Sequence, residues 1–480
     1  MSLHQKSSTA GLPRRRFIVW LVAGSAFMEM LDGTVLVTAL PQMGRAFDVS
    51  AVAMNIGVTA YLLALAVFMP VTGWAAERFG VRRLFAGAVL VFTVASLLCG
   101  LSSSLPMFTA ARVLQGIGGA AMLPVGRLAV LRVTAKEDLV RAIATLVWPG
   151  LVAPVLGPLA GGFLVTYASW RWIFFLNLPL GLAAFALALW LFSDAPAEQR
   201  KPLDLTGFLL VGVSLATLVF AFNALGKALG RGGADLLFLL ACLAAGLVLG
   251  GLAIRHCQRK KFPLLDFAAL RIRTYAISIL GGALFRVSIS SLPFLLPLLF
   301  QTVFGLNAFI SGALLLSLFA GNLLMKTLTT RILRRFGFRQ VLIVNGVLTA
   351  ASMAACAWFT PHTPQWLIVP VLFISGAFRS MQYTSLSALQ FADVPAEYMT
   401  GASTLASMVS QLTMGMSAAF AAFALNTSAL LRGGVAGRPD LHDFQIAFYL
   451  AGAATCLGVL VCLRLEAAAA QIVSGHQARK

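Results

Sequence analysis

Charge is scarce in this sequence of 480 residues: 11% of them are Asp, Glu, Lys or Arg, whereas 59% are hydrophobic. A soluble protein carries about a quarter charged residues. The chain therefore has too little polar surface to cover a core of its size. This composition excludes a soluble globular protein and predicts an integral membrane protein with many spans.

Residues for metal, redox and acid–base chemistry are also sparse. The six cysteines form no Cys-x-x-Cys pair, and five lie in apolar segments, which favours small buried side chains over disulfides or metal ligands. The five histidines fall in loops or tails, and no Walker-type Gly-rich loop with its lysine occurs. We therefore expect no enzyme, no metal site, no cofactor and no ATP-driven pump in this chain.

The basic excess, a formal net charge of +20, would suggest nucleic-acid binding in a soluble protein. No basic tract here is interleaved with aromatic residues that could stack on bases. Lys and Arg collect in the cytoplasmic loops of helical membrane proteins, which explains the excess better. We expect a lipid bilayer, and no nucleic acid, as a partner.

Fourteen apolar segments approach the roughly 20 residues that a membrane span needs. If the polar, basic N-terminus is a retained cytoplasmic segment, the inside loops and tails hold 25 Lys and Arg and the outside loops six. That bias favours cytoplasmic N- and C-termini. The segments run approximately over 17–40, 52–73, 84–102, 106–130, 140–165, 171–192, 206–225, 235–254, 275–301, 309–330, 340–360, 366–390, 400–425 and 444–464.

The sequence Arg-Phe-Gly-x-Arg occurs twice, in the loops after segments two and ten (Glu77 to Leu84 and Arg334 to Val341). These segments are equivalent if the chain has two six-helix halves, with segments seven and eight inserted between them. Parallel repeats of this kind are one architecture of secondary transporters. We predict an N-terminal bundle over 1–192, linkers and inserted helices over 193–273, and a C-terminal bundle and tail over 274–480.

Two acids, Glu29 and Asp32, interrupt the first segment. An ionisable group in hydrocarbon costs several kcal/mol and usually marks an ion or substrate path. The spacing puts both acids on one helix face. Either is a candidate proton carrier.

Arg112 lies about seven residues into the fourth segment, roughly 10 Å deep at 1.5 Å per residue. A buried arginine needs an acceptor. The candidates are Asp32, Glu29 and backbone carbonyls, with Gln115 one turn away.

The C-terminal half carries three cations within its apolar segments, Arg286, Lys326 and Arg379, and no acid there. They could bind an anionic substrate through charge-assisted hydrogen bonds. They could instead pair with the N-terminal acids across a central cavity, and we expect Lys326 to snorkel toward the inner interface. The sequence leaves these alternatives open.

Six stretches in chain order resemble motifs of the major facilitator superfamily, and three of them resemble its fourteen-helix drug:proton antiporter branch. The resemblance covers nearly the whole chain. It implies an all-α integral membrane protein of two six-helix bundles plus two inserted helices, multi-pass in the bacterial cytoplasmic (inner) membrane. The general motifs are Gly73 to Leu84, Ala111 to Pro124 and Pro149 to Gly162, and the branch motifs are Leu31 to Pro41, Trp170 to Gly181 and Leu203 to Leu210.

The resemblance also implies roles for individual residues. Asp32 matches the branch motif and Arg112 is associated with proton coupling in the family, with Gln115 beside it, whereas Glu29 is an extra acid. The family usually has Asp where Glu77 stands. The implied gating latch comprises Gly73, Glu77, Arg78, Gly80, Arg82 and Arg83. The implied seal against proton leak, on the fifth helix, comprises Gly150, Pro154, Gly157, Pro158, Gly161 and Gly162.

These features predict a proton-coupled exporter of amphipathic drugs or toxic compounds that works by alternating access. One alternative is an exporter of an organic anion or metabolite on the same fold. A remote alternative is a non-transporting membrane receptor, which would need a signalling domain or a lost coupling acid. The expected partners are a small-molecule substrate and protons, and an envelope-spanning efflux partner is a further hypothesis.

Overall fold

We analysed a computed structural model, which describes residues 12–134, 139–192, 202–228, 233–260, 263–395, 398–433 and 439–466. Within those ranges all regular secondary structure is helical. The expected cytoplasmic location of the N-terminal segment 1–11 and of the tail after 466 concerns residues outside the described part. The all-α prediction is confirmed for the described residues.

Sixteen α-helices are assigned in the described ranges, and each of the fourteen apolar segments overlaps at least one of them. The ninth segment is irregular, with π-helical turns on both sides of α12. The helices are α1 (Leu12–Ala46), α2 (Asn55–Phe68), α3 (Val71–Phe79), α4 (Val81–Leu101), α5 (Leu105–Val133), α6 (Leu139–Tyr167), α7 (Trp172–Phe175), α8 (Asn177–Leu191), α9 (Leu205–Ala228), α10 (Gly233–Arg259), α11 (Arg273–Ala276), α12 (Gly282–Leu298), α13 (Ala308–Cys356), α14 (Gln365–Ala392), α15 (Met399–Leu431) and α16 (Leu441–Cys462).

By length and apolar composition, ten described helices could cross a membrane, or eleven if the bent pair α2 and α3 is one span. The bend of 59° falls at Met69–Pro70. Proline lacks the backbone N–H that would continue the helical ladder, which accounts for the bend. The structure thus contains a helical bundle with many candidate spans.

The two copies of Arg-Phe-Gly-x-Arg have the same local backbone. Gly80 has φ 82° and ψ 150°, and Gly337 has φ 72° and ψ 167°. L side chains rarely adopt these angles, so glycine is needed at both turns. We expected loops here, but helix runs up to each glycine and resumes at once after it. A single glycine is therefore sufficient to break the helix, because the residues on both sides of it remain helical.

The two halves pack together along α2 and α15, where Thr59 Oγ1 lies 3.5 Å from the Gly415 carbonyl, and also at the end of the molecule where α1 and α6 finish, which we call the closed end. Gln301 Nε2 donates to the Thr38 carbonyl at 3.1 Å, and the Phe309 N–H donates to Thr166 Oγ1 at 3.2 Å. Buried aromatic side chains of both halves, including Phe174 and Phe300, belong to one apolar cluster. These contacts hold α1 and α6 of the first half against α12 and α13 of the second.

Candidate functional site

The centre of the N-terminal half is a buried ion pair between α1 and α5. Arg112 Nη1 donates to Asp32 Oδ2 at 2.6 Å, and neither side chain is exposed. Of the three kinds of acceptor considered for Arg112, Asp32 forms this ion pair, and the Gly57 carbonyl accepts from Nε at 3.4 Å. The structure therefore brings together two charges that lie 80 positions apart in the sequence.

Amide and hydroxyl groups complete this site. Gln115 accepts from Arg112 Nη1 at 2.6 Å and donates through Nε2 to Asp32 Oδ1 at 3.0 Å. Asn177 Nδ2 donates to the same Asp32 oxygen at 3.0 Å, and both amides also donate to Ser96 Oγ at 2.9 Å. The ionised form of Asp32 is thus held by three side-chain donors, in addition to its attraction to the guanidinium charge.

Small residues on α5 make this geometry possible. A Cβ added at Gly116 would lie 2.5 Å from the Tyr61 carbonyl, and one at Gly118 would lie 2.6 Å from the Phe92 nitrogen. Glycine therefore lets α5 approach both α2 and α4 closely. The close approach also places the Tyr61 ring beside Arg112, whose Cζ lies 4.1 Å from the ring centroid. This stacking is a cation–π contact.

Glu29 stands apart from this network although it shares a face of α1 with Asp32. Its Oε2 atom is buried and has no hydrogen-bond partner, and the same is true of Tyr61 Oη. Both groups face Gly119, where an added Cβ would lie 3.3 Å from Tyr61 Oη and 3.7 Å from Glu29 Cδ. The family resemblance favoured Asp32 over Glu29, but the sequence did not show which of the two acids meets Arg112.

The glycines of α6 lie at two helix contacts. A Cβ at Gly157 would clash with Thr34, and one at Gly161 would lie 2.5 Å from Thr38 Oγ1, so these residues fit against α1. Gly162 instead fits against the Ala308 carbonyl of α13, at the closed end. Gly150 has ordinary contacts with Met30, and α6 contains Pro149, Pro154 and Pro158. The seal remains a prediction, now with defined neighbours.

The expected latch residues lie around Gly80, at the junction of α3 and α4. Arg78 and Arg83 are exposed, as is Gly73. Glu77 and Arg82 are partly buried and have interaction partners. The structure places all six residues within two adjoining helix ends, and their gating role stays a prediction.

The three cations of the C-terminal half occupy different environments. Arg286 is buried and donates to Gln390 Oε1 at 2.9 Å, and Arg379 is half-buried with its Cζ 5.7 Å from the Phe319 ring centroid. Lys326 is exposed. In the described part of the chain neither arginine forms an ion pair with Glu29 or Asp32.

Sequence reasoning missed three members of the central network. Asn177 lies within a stretch that resembles a family motif, so its position carried a usable signal. Ser96 and the Gly57 carbonyl carried none, because a serine in an apolar helix and a backbone oxygen look unremarkable in sequence. Their role emerges from the packing of α4 and α2 against α5.

Comparison with known proteins agrees with this architecture. Residues 22–418 match the family model of the Major Facilitator Superfamily. The chain is 35% identical to a putative multidrug resistance protein MdtD of Pectobacterium carotovorum subsp. carotovorum (strain PC1), over 85% of this chain and 87% of that protein. It is 33% identical to the putative MdtD of Pectobacterium atrosepticum, over 94% of each chain.

Solved structures share the fold at much lower sequence identity. The transporter PepTSo of the POT family superposes with a TM-score of 0.67 at 11% identity, covering 93% of this chain and 97% of that one. At such identity the likeness shows the fold alone.

Proposed function

Because the chain belongs to the major facilitator superfamily, we propose that it is a secondary transporter that exports amphipathic drugs or toxic compounds in exchange for protons. The similar MdtD proteins are named as putative multidrug resistance proteins. The observation that carries the proposal is the buried pair of Asp32 and Arg112, because an ionisable group at the centre of a transporter half is suited to proton coupling. The protein lies in the bacterial inner membrane with multiple spans.

The full topology is part of this proposal. The kink at Gly337 divides α13 into two span-length pieces, and α6 and α14 are further apolar helices of adequate length. Together with the eleven candidate spans, these support fourteen membrane helices with both termini in the cytoplasm. On that topology the closed end faces the outside of the membrane.

Protonation of Asp32 would break its ion pair. The carboxylate accepts hydrogen bonds from Arg112, Gln115 and Asn177. A proton on the carboxyl group removes the negative charge and occupies one of the acceptor positions. Arg112 would then be left buried without a counter-charge, which is costly and favours rearrangement of α1 against α5.

A proton and Arg112 compete for the Asp32 carboxylate, and this competition could couple proton entry to substrate export. The ionised, paired state and the protonated, unpaired state favour different arrangements of α1, and α1 also packs on α6 and on the closed end. A proton that enters from outside would therefore shift the halves between access states, as expected for rocking repeats. We propose the junction around Gly80 as the latch for one of these states. No cofactor is needed in this mechanism.

Purified full-length protein in proteoliposomes under an imposed pH gradient tests the proposal. We expect Asp32→Asn to abolish gradient-driven ethidium transport while substrate binding persists. Asp48→Asn is the matched control, because Asp48 is an exposed acid after α1 and its φ of 55° is one that Asn also tolerates. Transport by the Asp32 variant at the wild-type rate would contradict Asp32 as the coupling site.

A further inference from the structure

The C-terminal half has an excess of positive charge that its own sequence does not neutralise. Between Asp266 and Asp440 the chain contains only two acids, Asp393 and Glu397, both in the connection after α14. Asp393 is exposed and lies about 20 Å along the helix axis from Arg379. Glu397 lies outside the described residues. Neither Arg286 nor Arg379 forms an ion pair with a carboxylate among the described side chains.

Several polar residues of this half share one face of α14. Arg379, Tyr383, Leu386 and Gln390 are spaced by four, three and four residues, the spacing of one helix face. Arg286 of α12 lies against this face: an added Cβ at Gly282 would lie 3.4 Å from Arg286 Nη1 and 3.6 Å from Leu386 Cδ2. We define the basic face as Arg286, Arg379, Tyr383 and Gln390.

The basic face has a hydrogen-bond donor that remains unused. Arg379 Nη1 is buried and has no hydrogen-bond partner. Arg286 has only neutral acceptors, Gln390 Oε1 at 2.9 Å and the Ser278 carbonyl at 3.4 Å. A buried donor without an acceptor is costly and is rare in folded proteins, so it calls for an explanation. An anionic ligand would supply the missing acceptor.

The surroundings of the basic face define the shape of such a ligand. The basic face is exposed at Tyr383, which is 41% exposed and whose Oη lies 3.4 Å from Ser410 Oγ of α15, whereas Arg286 and Gln390 are buried. Arg379 lies beside the ring of Phe319 on α13. A cation next to aromatic rings suits a compound with one negatively charged group and an apolar body.

Pairing of these arginines with the N-terminal acids would be the other explanation. Asp32 is already engaged by Arg112 at 2.6 Å and by two amides. Glu29 faces Tyr61 and Gly119, within the N-terminal half. Neither Asp32 nor Glu29 therefore neutralises the positive charge of the basic face.

We propose that the basic face is a substrate subsite for the carboxylate of an amphipathic organic anion, with Arg379 as its principal donor. Arg286 contributes positive charge to the same face and donates to Gln390 Oε1 at 2.9 Å. The inference rests on the proposed export function for the direction of transport, but binding to the subsite can be measured without transport.

Dansylglycine and dansylglycinamide form a matched pair of fluorescent probes, since they differ in one carboxylate. With detergent-purified full-length protein, we expect dansylglycine to bind at least about tenfold more tightly than its amide, the value of one charge-assisted hydrogen bond. Arg379→Gln should remove that preference, and Arg379→Lys should keep part of it because the charge remains. Lys326→Gln is the control, since Lys326 is a cation of the same half that is exposed.

The outcomes separate the subsite from the export function. Equal binding of the two probes by the wild-type protein would overturn the subsite, as would a folded Arg379→Gln variant that loses affinity for both probes equally and so keeps the preference. Gel filtration establishes that each variant is folded. If dansylglycine binds as expected but a pH gradient drives no efflux of any probe, the export function fails and the subsite stands.

Discussion

The two halves of the transporter treat a buried arginine in opposite ways. In the N-terminal half, Arg112 is neutralised by Asp32 within a network of amide and hydroxyl groups. In the C-terminal half, Arg286 has neutral partners and Arg379 has no acidic partner among the described side chains, although Arg112 and Arg379 each keep one buried N–H group without a hydrogen-bond partner. Two halves that share the Arg-Phe-Gly-x-Arg turn therefore differ in the chemistry at their centres.

The difference suggests that the two halves have separate roles, one in proton coupling and one in substrate recognition. A paired acid can exchange its partner for a proton, so the N-terminal half is suited to coupling. A cation that lacks a fixed counter-charge can take one from the substrate, so the C-terminal half is suited to recognition. The contacts at the closed end connect the two centres, because α1 carries Asp32 and also contacts Gln301.

The two halves should differ most in how replacement of their buried arginine changes the free energy of unfolding. Arg112→Gln leaves Asp32 buried without its ion pair and should lower the free energy of unfolding by about 3–5 kcal/mol. Arg379→Gln removes a cation that has no counter-charge and should leave that free energy unchanged or raise it. Denaturant unfolding of the purified variants in detergent measures both values. An equal loss of unfolding free energy in the two variants would contradict the proposed difference between the halves.

A second test concerns the contact through which the halves communicate. A Cβ added at Gly162 would clash with the Ala308 backbone across the closed end, whereas one at Gly150 meets the Met30 side chain at 3.6 Å. Gly162→Ala should therefore destabilise the closed end by about 1–3 kcal/mol. Proteoliposomes should then leak protons faster than with wild-type protein. Gly150→Ala is the control, and equal leakage in both variants would contradict the assigned contact.

Adding an acid to the basic face should make the two halves more alike. Tyr383→Glu places a carboxylate four residues from Arg379, where the two can pair on one helix face. We expect dansylglycine affinity to fall about tenfold, equivalent to 1.4 kcal/mol. Tyr383→Gln introduces a side chain of nearly the same shape as glutamate but without its charge. It should change the affinity for dansylglycine much less. If both variants bind equally, charge is not what the face recognises.

The smallest effect on stability is expected for Asp204, a paired acid that lies outside both the Asp32–Arg112 site and the basic face. Asp204 accepts from His256 at 2.8 Å, from Lys260 at 3.0 Å and from the Gly207 N–H at 3.0 Å. Burial alone would raise the pKa of Asp204, but these hydrogen bonds outweigh it and lower the pKa to about 2. We expect Asp204→Asn to lower stability by about 1 kcal/mol and to leave proton-driven transport intact.

The pH dependence of this contribution has a defined sign. A depressed folded-state pKa means that the stabilisation from Asp204 is complete above its unfolded pKa of about 3.9. It is lost as the pH falls through about 2. The stability difference between wild type and Asp204→Asn should therefore shrink below pH 4, as measured by thermal unfolding at a series of pH values. A difference that grows on acidification would contradict the assignment.

Much of the fold could be predicted from sequence because the bilayer dictates long apolar segments. Each of the fourteen segments overlaps a helix, and the repeated turn was visible as a motif. Helix ends were predicted less well: α1 extends from Leu12 to Ala46, beyond the expected 17–40, since polar residues outside the apolar core can continue a helix. The turns at Gly80 and Gly337 proved to be single-residue breaks rather than loops.

Within the candidate site, the sequence revealed which residues are unusual but not which of them meet. Asp32, Arg112 and Gln115 stood out as polar groups in apolar segments, whereas Ser96 did not. The motif match favoured Asp32 over Glu29, but a shared helix face does not say which neighbour each acid contacts. The packing of α5 through Gly116 and Gly118 selected Asp32 as the partner of Arg112.

The sequence by itself determined the class of protein, the helical segments and the family, because hydropathy and short motifs are local properties. The tertiary structure alone decided the partners of each buried charge. Hydrogen bonds between residues 80 or more positions apart depend on how closely helices pack. That packing separates a neutralised arginine in one half from two arginines without acidic partners in the other.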